Sequence, residues 1–237
     1  LENFGTRAER LPIWQLEPVV LEINELLASI PEVQKFSVAG SFRRVAETSK
    51  DVDFIVATEE HEAVREAILS RLVILETIAA GDTKISVLLD REEPVSVDFR
   101  LVKHHEFATA LHHFTGSKDH NIRMRQLAKS QGKKISEYGV EQPDGTIATF
   151  DTEADFFAHF DLPFIPPTVR ESGKELERLD ELAGLVQLEH IMSDLHMHTT
   201  WSDGAHSVQE MGEALIDQGY QYGVITDHSQ YLKVANG

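Results

Sequence analysis

Val38-Ala39-Gly40-Ser41-Phe42-Arg43-Arg44, followed after a short polar spacer by Lys50-Asp51-Val52-Asp53-Phe54-Ile55-Val56, is the stretch that decides how the chain folds. Phe36 to Ala39 predicts one strand and Val52 to Ala57 a second beside it, with Gly40-Ser41 as a tight turn that opens a helix. Side chains two residues apart in a strand share a face, so Asp51 and Asp53 project together while Val52 and Phe54 point into a core. Two carboxylates a few ångströms apart cannot both stay ionised cheaply unless a cation lies between them. Oxygen-only ligands of this kind suit Mg²⁺, which takes one or two carboxylates and completes its shell with water and substrate phosphates. The Gly40-Ser41 turn offers backbone N–H groups and a hydroxyl to an anion, and Arg44 adds charge. A lone Asp-x-Asp is ordinarily a turn or a solvated strand edge; in this company it implies a nucleoside triphosphate site. A third carboxylate, Asp98, stands in the alternating run Val95-Ser96-Val97-Asp98-Phe99-Arg100-Leu101. Three converging carboxylates can hold two metals that clamp the attacking and leaving oxygens of an in-line phosphoryl transfer, with Asp98 beside the attacking hydroxyl.

Outward from this stretch the apolar positions fall into an α/β pattern. Leu16, Val20, Ile23, Leu27 and Ile30 recur at three and four, which predicts an amphipathic helix beneath the sheet, with Pro18 in its first turn and Pro31 at its end. His61 to Leu72 predicts a helix that covers one sheet face, and Val73 to Ile78 a strand. Ile85 to Leu89 and Val95 to Leu101 flank the turn-rich Asp90-Arg91-Glu92-Glu93-Pro94 and predict antiparallel strands. His104, His105, His112 and His113 complete no ligand spacing, and most of them are expected at exposed helix positions. From Glu106 to Phe160 a small α/β lobe is expected, with a helix over Asn121 to Gln131, a Pro143-Asp144-Gly145 turn between short strands, and a helix over Thr152 to Phe160 whose Phe156, Phe157 and Phe160 are core. Asp161 to Pro167 stiffens the chain and closes the lobe. Glu171 to Glu189, with Leu176, Leu179, Leu182 and Leu185 or Val186 in helical rhythm, is expected as an acidic linker carrying a helix; Leu1 to Arg10 is expected as the end of a preceding segment.

The chain has 237 residues, room for one to three domains. No apolar run approaches the roughly 18 residues of a membrane-spanning helix, so no membrane partner is expected. The absence of cysteine excludes disulfides and Cys-ligated zinc and leaves the cytoplasm as the expected compartment. A net charge of −18 opposes general affinity for nucleic acid. Locally the sign reverses, because Lys118, Arg123, Arg125, Lys129, Lys133 and Lys134 stand against the single Asp119. That is the electrostatic footprint expected for a nucleic acid. Residues 171–237 carry Lys174, Arg178 and Lys233 against twelve acids, and are not expected to grip DNA by charge.

The order Gly40-Ser41-Phe42-Arg43-Arg44, Asp51-Val52-Asp53, Val97-Asp98-Phe99-Arg100, then Phe114-Thr115-Gly116-Ser117 with Asn121 and Arg125, resembles the family X DNA polymerases, the group of DNA polymerase beta, over about Leu11 to Arg170. The resemblance implies a nucleotidyltransferase palm and a thumb. It matches Asp51, Asp53 and Asp98 to catalytic carboxylates that hold Mg²⁺ or Mn²⁺, and Ser41 and Arg44, with Gly40 in the same turn, to residues that hold the incoming triphosphate. Phe114, Thr115, Gly116 and Ser117 resemble the segment against the nucleotide sugar. Asn121 and Arg125 resemble minor-groove contacts, beside which Lys118, Arg123 and Lys129 are expected on DNA. Val45 and Lys50 depart from the glycines usual in eukaryotic members, and His113 from the usual tyrosine.

A second constellation lies near the end. Asp194-Leu195-His196-Met197-His198-Thr199-Thr200-Trp201-Ser202-Asp203-Gly204 and Gly223-Val224-Ile225-Thr226-Asp227-His228-Ser229 flank a helical stretch from Val208 to Gln218, which predicts a β-α-β unit with its histidines at the carboxyl ends of both strands. His and carboxylate ligands without thiols suit Zn²⁺, Mn²⁺ or Fe in a hydrolytic site. This stretch resembles the start of a PHP domain, the polymerase and histidinol phosphatase family of metal-dependent phosphoesterases. The resemblance matches His196, His198, Asp203 and His228 to ligand positions, gives Asp227 an orienting role, and leaves His206 unassigned. It also implies a chain taken from a longer protein, without the rest of this barrel or an N-terminal DNA-end-binding domain.

The expected fold class is therefore α/β (α+β), with a mixed or antiparallel palm sheet over 1–105, a thumb over 106–170, a linker over 171–190 and the first β-α-β unit of a PHP-type barrel over 191–237. The implied activity is DNA-directed DNA synthesis by a monomer, filling gaps from deoxynucleoside triphosphates on gapped or primer–template DNA, with a PHP 3′-5′ exonuclease or 3′-phosphatase present in part. Two alternatives stand beside it. One is a metal-dependent phosphoesterase that uses the palm to bind DNA ends; the other is a nucleotidyltransferase acting on a non-DNA substrate.

Overall fold

The computed structural model describes residues 10–235. The chain divides into two compact units, the first ending at Asp180 and the second beginning at Glu181. The first unit holds, in order, β1 (Leu11–Pro12), α1 (Ile13–Ala28), β2 (Lys35–Val38), α2 (Gly40–Arg43), β3 (Thr48–Ser49), β4 (Asp51–Ala57), α3 (His61–Arg71), β5 (Ile74–Ala80), β6 (Lys84–Leu89) and β7 (Val95–Val102). It continues through α4 (Phe107–Thr115), α5 (Lys118–Ser130), β8 (Lys134–Ile135), β9 (Val140–Glu141), β10 (Ile147–Ala148) and α6 (Glu153–Ala158). The expectation for Leu1 to Arg10 falls, Arg10 apart, outside the described residues.

Alternation in β4 and β7 decides the architecture. The five-stranded sheet runs β2-β4-β7-β6-β5, with β4 and β7 parallel and the other neighbours antiparallel. Val52, Phe54 and Val56 lie level with Val97, Phe99 and Leu101, and all six are buried against the apolar sides of α1 and α3. The Phe54 and Phe99 rings stack at 5.7 Å. On the opposite face Ile55, Ala57 and Val102 pack beneath Phe107, Ala110 and Leu111 of α4. That helix covers only one end of the face, and Asp51, Asp53 and Asp98 occupy the other.

The helix expected from Leu16 starts three residues earlier, at Ile13, because Leu11–Pro12 pairs with Thr48–Ser49 and Ile13 N–H bonds to Glu47 O. Pro18 consequently lies in the second turn rather than the first, and the helix ends at Ala28, before Pro31. In the small lobe, β8, β9 and β10 form an antiparallel meander, and Phe156, Phe157 and Phe160 are buried as expected.

His112 departs from the exposure expected of most of these histidines. His104 and His105 are exposed, but His112 is 1 % exposed, its ring 4.3 Å from Phe156. The inner side of α4 carries Ala108, Leu111, His112 and Thr115 together, so position on the helix outweighs residue type. A buried polar chain reaches one of its nitrogens: His112 Nε2 lies 2.9 Å from His120 Nε2, and His120 Nδ1 2.7 Å from Glu175 Oε1, while His112 Nδ1 is buried without a partner. With Glu175 ionised, His120 donates from Nδ1 and accepts at Nε2, so His112 must donate from its own Nε2.

The helix expected in Glu171 to Glu189 is absent; the segment forms short 3₁₀ turns. Its first part is held by side chains instead, since Arg170 and Glu175 are buried in the small lobe. In the second unit β11 (Ser193–Met197) and β12 (Tyr222–Ile225) pair in parallel, linked by α7 (Val208–Asp217), as the β-α-β pattern predicts. Ser207 caps α7 in a reciprocal arrangement with Glu210. No described helix is long and apolar enough to cross a membrane.

Burial holds both His112 and His120 below their ordinary pKa, opposed at His120 by the Glu175 hydrogen bond. The unfolded chain then binds more protons than the folded one below the ordinary histidine range, so stability is present above about pH 6.5 and is lost as pH falls. The urea midpoint is expected to drop between pH 7.5 and pH 5, and to drop less in His120→Gln.

Candidate active sites on the sheet face and the β-α-β unit

Asp53 and Asp98 are direct neighbours across the parallel β4–β7 pair, and Asp51 lies two residues from Asp53 on the same face. All three are partly exposed. Burial, then the charges of Asp51 and Asp98, push the Asp53 carboxyl up to about 7, against the pull of Arg100 and Lys84. A divalent cation would relieve that repulsion, and the donors are all oxygen, as Mg²⁺ or Mn²⁺ requires. Among the described residues these three carboxylates do not gather into a close group of ligand atoms as His198, Asp203 and His228 do.

The Gly40-Ser41 turn packs directly against this face. Gly40 has φ +63°, and a Cβ there would collide with Asp53 Oδ2, so only glycine permits both the turn and the carboxylate. Ala39 N–H bonds to Asp53 O at 2.7 Å. Ser49 Oγ donates to Asp51 O at 2.7 Å and lies 2.5 Å from Ser41 Oγ, so Ser41 supplies the proton between the two hydroxyls. Turn and metal-face backbone are thereby joined by two buried or half-buried hydroxyls.

Arg44 is held from two sides. Its Nε donates to Glu171 Oε1 at 2.8 Å and its Nη1 to Thr115 O at 2.6 Å, leaving the rest of the guanidinium fork for an anion. Arg43 turns the other way, to Thr115 Oγ1 at 2.8 Å and Glu153 Oε2 at 2.5 Å, and Glu153 also accepts from the buried Arg170 at 2.7 Å. Sequence reasoning missed Glu153, Arg170 and Glu171. Nothing local announces them, because their partners lie far away along the chain.

Phe114 lies under the Arg100 guanidinium, 4.7 Å from its carbon. Gly116 has φ +68°, the Gly116–Ser117 peptide is cis, and Ser117 caps α5 while donating to Glu171 O at 2.7 Å. Asn121 Nδ2 donates to His113 O at 2.7 Å, and its buried Oδ1 has no partner. Lys118, Arg125 and Lys129 are exposed along α5. Arg123 pairs with Glu177 at 2.8 Å, and Lys133 is drawn into the lobe by Gln131 and His159 O. The basic run therefore offers fewer free cations than its composition suggests.

In the second unit His198, Asp203 and His228 present ligand atoms within 4.8 Å of one another. The His198 and His228 rings stack at 4.5 Å, and Asp203 oxygens lie 3.5 Å from His198 Nδ1 and 3.7 Å from His228 Nε2. His198 Nδ1 is buried without a hydrogen-bond partner, which suits a ligand atom. His196 is exposed, its ring 5.1 Å from that of His198, outside the close group. Asp227 accepts from Thr199 N, Thr199 Oγ1 and Ser202 Oγ at 2.6, 2.5 and 2.7 Å. Despite some desolvation, these hydrogen bonds hold its carboxyl below the ordinary value. Asp227 thus fixes the loop that carries Asp203. These donors fit a borderline ion such as Zn²⁺, Mn²⁺ or Fe.

Comparison with known proteins follows the same outline. A family model for the DNA polymerase beta thumb matches residues 110–171. The chain is 56 % identical over 238 residues to the DNA polymerase/3′-5′ exonuclease PolX of Bacillus subtilis (strain 168), covering 100 % of this chain and 42 % of that protein. It is 29 % identical over 162 residues to DNA polymerase lambda of Rattus norvegicus, covering 56 % of this chain and 28 % of that protein. The chain thus spans less than half the length of either relative.

Gly40→Ala is expected to lower stability by about 1–3 kcal/mol through its positive φ alone, read by urea unfolding, and to weaken metal binding at the sheet face. Asp227→Ala is expected to loosen metal at the histidine cluster by about 10–100-fold in equilibrium dialysis, the cost of losing an orienting partner.

Proposed function

Because the chain belongs to the family X DNA polymerases, we propose that its first unit is the palm and thumb of a DNA-directed DNA polymerase that fills gaps from deoxynucleoside triphosphates. The observation that supports this most is the register that sets Asp53 beside Asp98, with Asp51 on the same face and the Gly40-Ser41 turn against it. Bound Mg²⁺ or Mn²⁺ would supply charge neutralisation at the attacking and leaving oxygens. The protein's own residues do the rest. Asp98 orients the primer 3′-hydroxyl for in-line attack on the α-phosphorus, Asp51 and Asp53 hold the ions, and pyrophosphate leaves toward the turn. Ser41 and the free side of the Arg44 fork hold the triphosphate, and Phe114 to Ser117 line the sugar. Lys118, Arg125 and Lys129, with Asn121 and Arg123, track the primer–template along α5.

The α5 stretch also meets the objection from a net charge of −18, since Lys118, Arg125 and Lys129 are exposed along it and would put positive charge where DNA would lie. In this reading the protein acts as a monomer in the cytoplasm. The second unit is read as part of a PHP-type phosphoesterase acting on DNA 3′ ends, supported by the cluster of His198, Asp203 and His228. That cluster also favours the alternative in which hydrolysis is the main activity and the palm only binds DNA ends.

Primer extension on one-nucleotide-gapped DNA with Mg²⁺ or Mn²⁺ separates the two. Asp51→Ala/Asp53→Ala is expected to lose at least about three orders of magnitude in rate, the several kcal/mol that metal-held charge contributes. No extension by the unaltered protein under either ion would favour the hydrolase.

A further inference from the structure

Three carboxylates gathered on one face need positive charge nearby even before a metal arrives. The sheet supplies it from β6. Ser86 lies directly across from Asp98 and Lys84 across from Arg100, so Ser86, Lys84, Asp98 and Arg100 share the face that carries Asp51 and Asp53. Asp98 does not bond to Ser86, whose buried Oγ has no partner. It turns diagonally to Lys84, with Nζ 3.1 Å from Asp98 Oδ2. Among the described residues this is the ion pair that any of the three carboxylates forms. Arg100 lies over the Phe114 ring and Lys35, farther along the same face, over that of Phe107.

Lys84 is 39 % and Asp98 22 % exposed in the side chain, so the pair adds little to stability. Its geometry matters more. An ion bound to Asp98 at the usual metal–oxygen distance of about 2.1 Å would lie no more than about 7 Å from the ammonium. Two positive centres that close repel, and the nearer the ion approaches Asp98 the more the ammonium opposes it. A lysine side chain on an open strand face is long enough to swing away; Asp98, fixed in the central strand, is not.

We infer that Lys84 is a positioning residue that serves as a stand-in cation: it holds Asp98 in the metal-free enzyme and gives way to the entering divalent ion, and so sets how tightly the palm holds metal. The inference rests on the polymerase reading of the palm. It predicts that the lysine weakens metal binding, which a merely structural ion pair would not do.

The test is Mn²⁺ binding to the chain, followed by electron paramagnetic resonance of the free ion. The same isotherm for Asp51→Ala/Asp53→Ala isolates the palm component from the histidine cluster. Lys84→Met is expected to tighten the palm component by about three- to ten-fold, as removal of one nearby, partly screened charge requires. Lys84→Arg, which keeps the cation, is expected to match the unaltered chain. Lys103→Met, an equal change of net charge at an exposed position, is expected to do the same. An unchanged or weaker palm component in Lys84→Met, with the protein folded by thermal melt, overturns the inference and leaves the polymerase reading standing. No difference between the unaltered chain and Asp51→Ala/Asp53→Ala overturns both.

Discussion

Parallel pairing of β4 with β7 is the constraint on which the first unit depends. It sets Asp53 level with Asp98, and every second residue to either side follows. On one face it stacks Phe54 on Phe99 and buries the valines beside them; on the other it brings like charges together. A register shift of one residue would exchange the faces, placing carboxylates in the core and phenylalanines in solvent. Apolar burial thus holds the carboxylates where repulsion alone would separate them. Burial first, and then the neighbouring charges, raise the Asp53 carboxyl.

The Gly40-Ser41 turn is built onto the same constraint. Gly40 is pressed against Asp53, and Ser41 reaches Asp51 through Ser49, so the parts expected to contact metal and phosphate move as one body. The adjacent arginines then divide. Arg43 is committed to Glu153 and Arg44 to Thr115 O and Glu171, which ties the turn to the small lobe at two points.

The second unit shows the same economy on a smaller scale. Two parallel strands bring His198 and His228 together at their carboxyl ends, and Asp227 spends its oxygens on the intervening loop rather than on the cluster. His196, two residues from His198, remains exposed outside it. Spacing alone could not separate these roles, because the register shifts between Asp194 and Met197 and β11 ends before His198, which breaks the two-residue alternation.

Alternation and local chemistry by themselves determined the strands that carry Asp51, Asp53 and Asp98, the turn at Gly40, the helices over the sheet and the β-α-β unit. These follow from periodicity and from glycine's freedom at positive φ, which act over a few residues. Tertiary structure decided the rest. It started α1 early through a strand pair, replaced the expected linker helix with anchored 3₁₀ turns, and buried His112 by its place on α4. It also chose partners. Arg123, Arg44 and Asp98 stand out in the sequence, but their partners Glu177, Glu171 and Lys84 became visible only when the fold brought them near. The physical reason is range: a backbone preference is local, whereas an ion pair or a buried contact depends on which distant residues the packed core leaves within reach.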